Sequence, residues 1–210
     1  MVKLYVEGGG DTAALKAACR EGFSTFLAKA GLNKKPRVVA CGSRRDAYES
    51  YCTAIRSGEE AVLLVDSEAP VGACHQQGDA DSWQPWQHLK QRQEDGWDQP
   101  ANAPETDCHL MVQCMESWFL ADRQTLKHFF GQGFGETQLP AAANAVETIA
   151  KEQVHESLAK ATSHCKTKGS YGKGEHSFKL LTAVDPLKIT AASPWARRFI
   201  DELKRRMDAV

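Results

Sequence analysis

A chain of 210 residues with 42% hydrophobic content suits one substantial packed domain, or a domain with a helical extension, and excludes global disorder. No apolar run approaches the ~20 residues that span a bilayer, and the first residues enter a strand pattern directly, which predicts neither a membrane span nor a signal peptide. Net charge is -1, and the seven cysteines are odd in number without CxxC pairs, a usage that fits reduced thiols in a cytoplasm rather than a disulfide framework.

The chain opens on Lys3-Leu-Tyr-Val-Glu-Gly-Gly-Gly-Asp11, an alternating run that ends on Glu7 and passes through three glycines. Helix one is expected over about 12–30, with Asp11 as N-cap, an apolar stripe from Leu15 to Leu27 and Gly31 as C-cap. A short strand at 38–41 follows, then a helix led by Gly42-Ser43, with Tyr48, Tyr51, Cys52 and Ile55 on its apolar side. Residues 61–65 are continuously apolar and end on Asp66-Ser67-Glu68, as in a strand covered on both faces. This β-α-β-α-β order predicts a doubly wound, mostly parallel sheet with helices on both faces.

Periodicity is lost over 69–107, where Trp83, Trp86 and Trp97 either pack on the body or stack on bases. A short helix is expected near 83–89. A fourth strand is expected over 108–113, with Cys108, Leu110, Val112 and Cys114 facing one way, then a helix from Glu116 to Asp122 and another over 123–130. Beyond residue 130 the pattern is helical: about 141–162, 176–184, and two Asx/Ser-Pro starts at Asp185-Pro186 and Ser193-Pro194. Residues 167–175 form a Gly/Lys-rich loop. The expected organisation is an α/β core over 1–130, including the insertion, with a helical C-terminal part over 131–210 packed on it.

Glu7, Asp66, Glu68 and Glu116 then stand at the carboxyl ends of strands one, three and four, the edge where open α/β sheets bind ligands. Several carboxylates there repel one another unless a divalent cation intervenes, and Mg²⁺ or Mn²⁺ with a substrate phosphate suits such an oxygen-only set. Asp66 and Glu68 reach one ion only if the backbone turns between them. Each acid also has an ordinary structural role open to it, as a cap, a turn residue or a first-turn partner of a helix dipole. Charge is asymmetric: acids dominate from Asp66 to Asp122, and bases outnumber acids from Lys151 onward. Lys168, Lys173, Arg197 and Arg198 are candidate nucleic-acid contacts, Lys179 a candidate electrostatic helper, and His176 a candidate for positioning water. Cys74-His75, Cys108, His109 and Cys114 lack the spacing of a zinc site.

Glu at the end of strand one and the acidic pair Asp66-Ser67-Glu68 resemble the TOPRIM catalytic domain of topoisomerases, primases and overcoming-lysogenization-defect nucleases. Glu7-Gly-x-x-Asp11, Glu116-Ser-Trp118 with Asp122, Tyr171-Gly-Lys173 and Ser193-Pro194 with Phe199 and Leu203 more closely resemble the TOPRIM-like family catalogued as domain of unknown function 4276. The resemblance covers most of the chain. It implies a TOPRIM-like α/β core, Mg²⁺ dependence and a bacterial origin, commonly in defence beside an AAA- or ABC-type ATPase. Glu68 stands where the general TOPRIM pattern has Asp.

The leading expectation is a Mg²⁺-dependent nuclease of DNA or RNA. Glu7, Asp66 and Glu68 would be its metal ligands, Glu116 a second-site ligand or base, and oligomerisation is open. The alternatives are a non-catalytic regulatory or binding subunit of an ATPase complex and a small-nucleotide phosphohydrolase.

Overall fold

The computed structural model describes residues 1–141 and 145–209. Four strands, β1 (Lys3–Val6), β2 (Arg37–Ala40), β3 (Ala61–Asp66) and β4 (Cys108–Met111), form one sheet in the order β2-β1-β3-β4. Every neighbouring pair is parallel, with Val6 opposite both Ala40 and Leu64, and Asp66 opposite Met111. Each strand therefore ends on the same edge, and Glu7 and Asp66 arrive there on adjacent strands.

Nine helices are described: α1 (Ala13–Lys29), α2 (Arg44–Arg56), α3 (Pro85–Gln91), α4 (Glu116–Leu120), α5 (Arg123–Phe130), α6 (Lys151–Thr162), α7 (Lys173–Ala183), α8 (Pro186–Ala192) and α9 (Pro194–Asp208). Strand alternation sorts the core into two layers. Leu4, Val6, Val62, Leu64 and Met111 face a large cluster built with α1 and α4 to α9. Tyr5, Leu63, Val65, Cys108 and Leu110 face a smaller one built with α2, α3 and the insertion. Helices on both faces explain why β3 and β4 are buried at every position. The larger cluster runs unbroken across residue 130, and α7 lies so close to α1 that a Cβ at Gly22 would meet the Phe178 carbonyl oxygen at 3.1 Å.

The expected caps hold at Asp185 and Ser193, each followed by proline in the first turn, and Ser43, after which the second helix begins, forms a capping box with Asp46. Thr12, not Asp11, caps α1: Gly8, Gly9 and Gly10 all have positive φ and carry the turn one residue further, so Thr12 Oγ1 accepts from Leu15 N at 3.2 Å. The insertion tryptophans pack inward, with Trp97 stacked on Tyr48 at 4.6 Å between centroids.

Three boundaries differ from expectation. Helix α6 begins only at Lys151, preceded by a single 3₁₀ turn at Val146–Thr148, while residues 142–144 of the expected helix lie outside the described residues. Helix α7 begins at Lys173 rather than 176, because the chain turns in directly after Gly172. Cys114 does not continue the β4 face, since the strand stops at Met111 and Gln113 takes φ 63°, which turns the thiol into the larger cluster. Among the described residues no helix is long and apolar enough to cross a membrane.

Candidate metal centre at the carboxyl edge of the sheet

The in-register pairing of β1 with β3 sets Glu7 beside Asp66, and the Asp66 amide donates to Glu7 Oε2 at 3.0 Å. Asp66 is only 2% exposed, and its Oδ1 accepts from the Met115 amide at 2.8 Å. The backbone does turn between Asp66 and Glu68. Glu68 itself is left-handed at φ 62°, held by its amide donating to Gln113 O at 3.1 Å. A non-glycine residue in that region costs about 1–3 kcal/mol, a strain that collects at functional sites. The turn brings one carboxylate oxygen from each of Glu7, Asp66 and Glu68 within 4.8 Å of the others.

Glu7 and Asp66 line a cavity of about 300 Å³ with Gly8, Gly9, Glu116 and Lys173. Glycine is required beside it, because a Cβ on Gly9 would lie 2.9 Å from the Lys16 Cα, and Gly8 closes a two-bond bridge with Gly42. Glu116 is fully buried at the start of α4. Its Oε1 accepts from the Tyr171 hydroxyl at 3.0 Å and the Ser177 hydroxyl at 3.3 Å, while its Oε2 is buried without a hydrogen-bond partner.

Burial, then the neighbouring Glu7 and Glu116 charges, hold the Asp66 carboxyl well above the usual carboxylate range. Burial likewise raises Glu7, against the opposing Asp66 amide and Arg44. Burial disfavours the Lys173 ammonium, but Glu116, Asp66 and Glu7 outweigh it and hold the lysine above its ordinary range. Among the described residues, Asp66 and Glu116 have no cation nearer than 4.0 Å, from Lys151 and Lys173 respectively. An all-oxygen donor set, with Asp66, raised by burial and like charge, between two half-buried glutamates, fits a hard divalent cation such as Mg²⁺ or Mn²⁺.

Two cations at the site carry no motif. Arg44, in the first turn of α2, donates from Nε to the Asp66 carbonyl at 3.0 Å and lies 3.6 Å from Glu7 and 3.9 Å from Glu68. Asp95 of the insertion grips its guanidinium at 2.5 and 2.9 Å, with Trp97 beneath it. Lys151, the first residue of α6, donates to both Glu68 oxygens at 2.6 Å. Arg44 was discoverable, because it follows a strand end on the same edge as Glu7. Lys151 was not, since it is 83 residues from its partner.

The remaining candidates go elsewhere. Lys179 is exposed and does not line the cavity: with α7 starting at Lys173, positions 173, 174, 177 and 178 face inward, and 179 is about 200° around the helix from 177. His176 is buried among Phe129, Phe130 and Tyr171, with Nδ1 accepting from the Gly172 amide. Lys168 is exposed over the Phe129 ring, and Arg197, also exposed, donates to the Thr190 carbonyl. Arg198 is not a surface contact. It is 3% exposed and braces α9 to the insertion and β4 by donating to the Ala80, Cys108 and Glu105 carbonyls. His109 Nδ1 and Cys108 sit against Arg198, away from Cys114.

The family profile of the domain of unknown function 4276 (DUF4276) matches residues 6–204. The chain belongs to this family. The DUF4276 match takes in every residue lining the cavity, from Glu7 to Phe178. Comparison with curated proteins and with solved structures finds no match.

Proposed function

We propose that the chain is a Mg²⁺- or Mn²⁺-dependent phosphodiesterase acting on nucleic acid, with Glu7, Asp66 and Glu68 as its metal ligands. The observation that carries this reading is the convergence of those three carboxylates within 4.8 Å, beside a cavity at the ligand-binding edge of the sheet. A divalent ion held there supplies an activated water and neutralises phosphate charge.

The chain's own residues account for the rest. Lys173 faces the cavity and presents an ammonium to a non-bridging phosphate oxygen. Glu116 lines the same cavity and is placed as a second-site ligand. Arg44 and Lys151 fix Glu7 and Glu68 in orientation, and the glycine turn lets a phosphate approach the backbone. The TOPRIM resemblance of Glu7 and Asp66-Ser67-Glu68 supports the same chemistry, and a bacterial defence role beside an ATPase is proposed on that resemblance alone.

The test is incubation with labelled DNA, RNA and dinucleotides in Mg²⁺, Mn²⁺ or chelator, alone and with a neighbouring ATPase. Divalent-dependent cleavage is expected, reduced at least about 100-fold in Asp66→Ala. Cleavage unchanged in Asp66→Ala overturns the proposal, and cleavage of dinucleotides alone redirects it to a small-nucleotide phosphohydrolase.

A second reading, a non-catalytic subunit of an ATPase complex, draws on the ion pairs Lys151–Glu68 and Arg44–Glu7, which pair these acids without any added ion. Calorimetry showing no divalent-ion binding, with ATPase binding retained in Asp66→Ala, selects it.

A further inference from the structure

A second group of metal-type ligands lies beside the first and is chemically different. Cys114 Sγ, a Glu116 carboxylate oxygen and a His155 ring nitrogen all lie within 4.8 Å of one another. They come from the turn after β4, the first residue of α4 and the second turn of α6. Cys114 and Glu116 flank Met115, whose amide is pinned by Asp66, so their spacing is fixed by the backbone. Cys114 and Glu116 are fully buried and His155 is half-buried, so the group is closed on the core side and open through the histidine.

The independent indication of a ligand is Glu116 Oε2. Its partner oxygen is taken by the Tyr171 and Ser177 hydroxyls, but Oε2 is buried without a hydrogen bond, and its nearest cation is Lys173 Nζ at 4.0 Å. A buried carboxylate oxygen left unpaired is costly unless something positive reaches it.

We propose that Cys114, Glu116 and His155 form a second cation site, selective for a borderline transition ion such as Zn²⁺. Sulfur, imidazole and carboxylate together suit zinc and its neighbours in the first transition row, whereas Mg²⁺ prefers oxygen alone. Three protein ligands leave a fourth position for water, the composition of a zinc site that binds or activates rather than one that only braces a fold. Binding exchanges the thiol proton for the ion: the Cys114 S–H bond breaks, sulfur ligates as thiolate, and the proton leaves to solvent. The inference shares Glu116 with the proposed phosphodiesterase site but none of its three ligands Glu7, Asp66 and Glu68. Its readout is cobalt binding rather than cleavage, so its failure and the failure of that reading are distinguishable.

The experiment is titration of the chelator-treated full chain with Co²⁺, followed by absorption, with Zn²⁺ competition. The expected result is a thiolate-to-cobalt charge-transfer band that saturates at one equivalent and is erased by Zn²⁺ but not by excess Mg²⁺. Cys114→Ser should lose the band, and His155→Gln should weaken Co²⁺ binding by at least about 10-fold. Glu68→Gln should leave the band unchanged. His155 lies on the half-buried rim, so its variant stays informative even where Cys114→Ser fails to fold. No band in the wild-type chain, a band that survives Cys114→Ser, or His155→Gln binding Co²⁺ as tightly as wild type overturns the proposal.

Discussion

The two ends of the sheet handle buried charge in opposite ways. At the amino end of β4, Asp107 accepts from Arg206 at 2.6 Å and from the Tyr51 hydroxyl at 2.9 Å, and Arg206 is shared with Glu202 at 2.5 Å. Arg198 satisfies three carbonyls nearby. At the carboxyl end, three carboxylates crowd within 4.8 Å, Glu116 Oε2 has no partner, and Glu68 and Gln113 are held left-handed. Matched buried charges serve folding. At the carboxyl end Arg44 and Lys151 pair Glu7 and Glu68, but Asp66 and Glu116 Oε2 have, among the described residues, no cation nearer than 4.0 Å. Such a charge imbalance in a strained turn is of the kind that collects at functional sites.

Breaking the matched end should have the largest effect on stability. Asp107→Ala removes the partner of Arg206 and Tyr51 and is expected to destabilise the fold by about 3 kcal/mol, read from urea unfolding. The unmatched end should respond in the reverse sense. Asp66→Asn keeps the Oδ1 acceptor for the Met115 amide while removing a buried charge, so stability without divalent ions should hold or rise by roughly 1 kcal/mol as the proposed cleavage is lost. A loss of several kcal/mol in that variant would show that the two ends do not differ.

The pH dependence sharpens the same contrast. Asp66 and Glu7 have folded-state values raised above the unfolded ones. Their contribution to stability is therefore full below the ordinary carboxylate range and is lost as pH rises through the raised values. Unfolding midpoints of the ion-free chain should fall over that window. The fall should shrink in Asp66→Asn, and saturating Mg²⁺ should offset it by about 2.7 kcal/mol at 100 times its dissociation constant. A flat profile in the wild-type chain would remove the like-charge account of the site.

The smallest effect is expected on α7, where two lysines on one helix separate site from surface. Lys179→Ala should change stability by no more than about 0.5 kcal/mol and leave cleavage unchanged. Lys173→Ala, losing the cavity-facing ammonium, should lower cleavage. Equal effects in both variants would contradict the helix phase that separates them.

Much of the fold was legible because it is written in local patterns. Apolar runs gave all four strands, glycines and Ser/Asp-Pro pairs gave several helix ends, and the strand-end acids pointed to one edge. Asp11 misled by one residue, because three successive positive-φ glycines are not a pattern that residue type alone resolves. The helix expected from 141 began at Lys151, since composition does not fix where a helix starts without a capping side chain.

By itself the sequence determined the sheet, its parallel sense and the placement of Glu7 and Asp66 at strand ends, because period and turn chemistry act over a few residues. Only the tertiary structure decided which charges meet. It buried Arg198, turned Lys179 outward and brought Arg44 and Lys151 onto the acids. It also set His155 beside Cys114 and Glu116, because long-range packing places those side chains and no local rule encodes it.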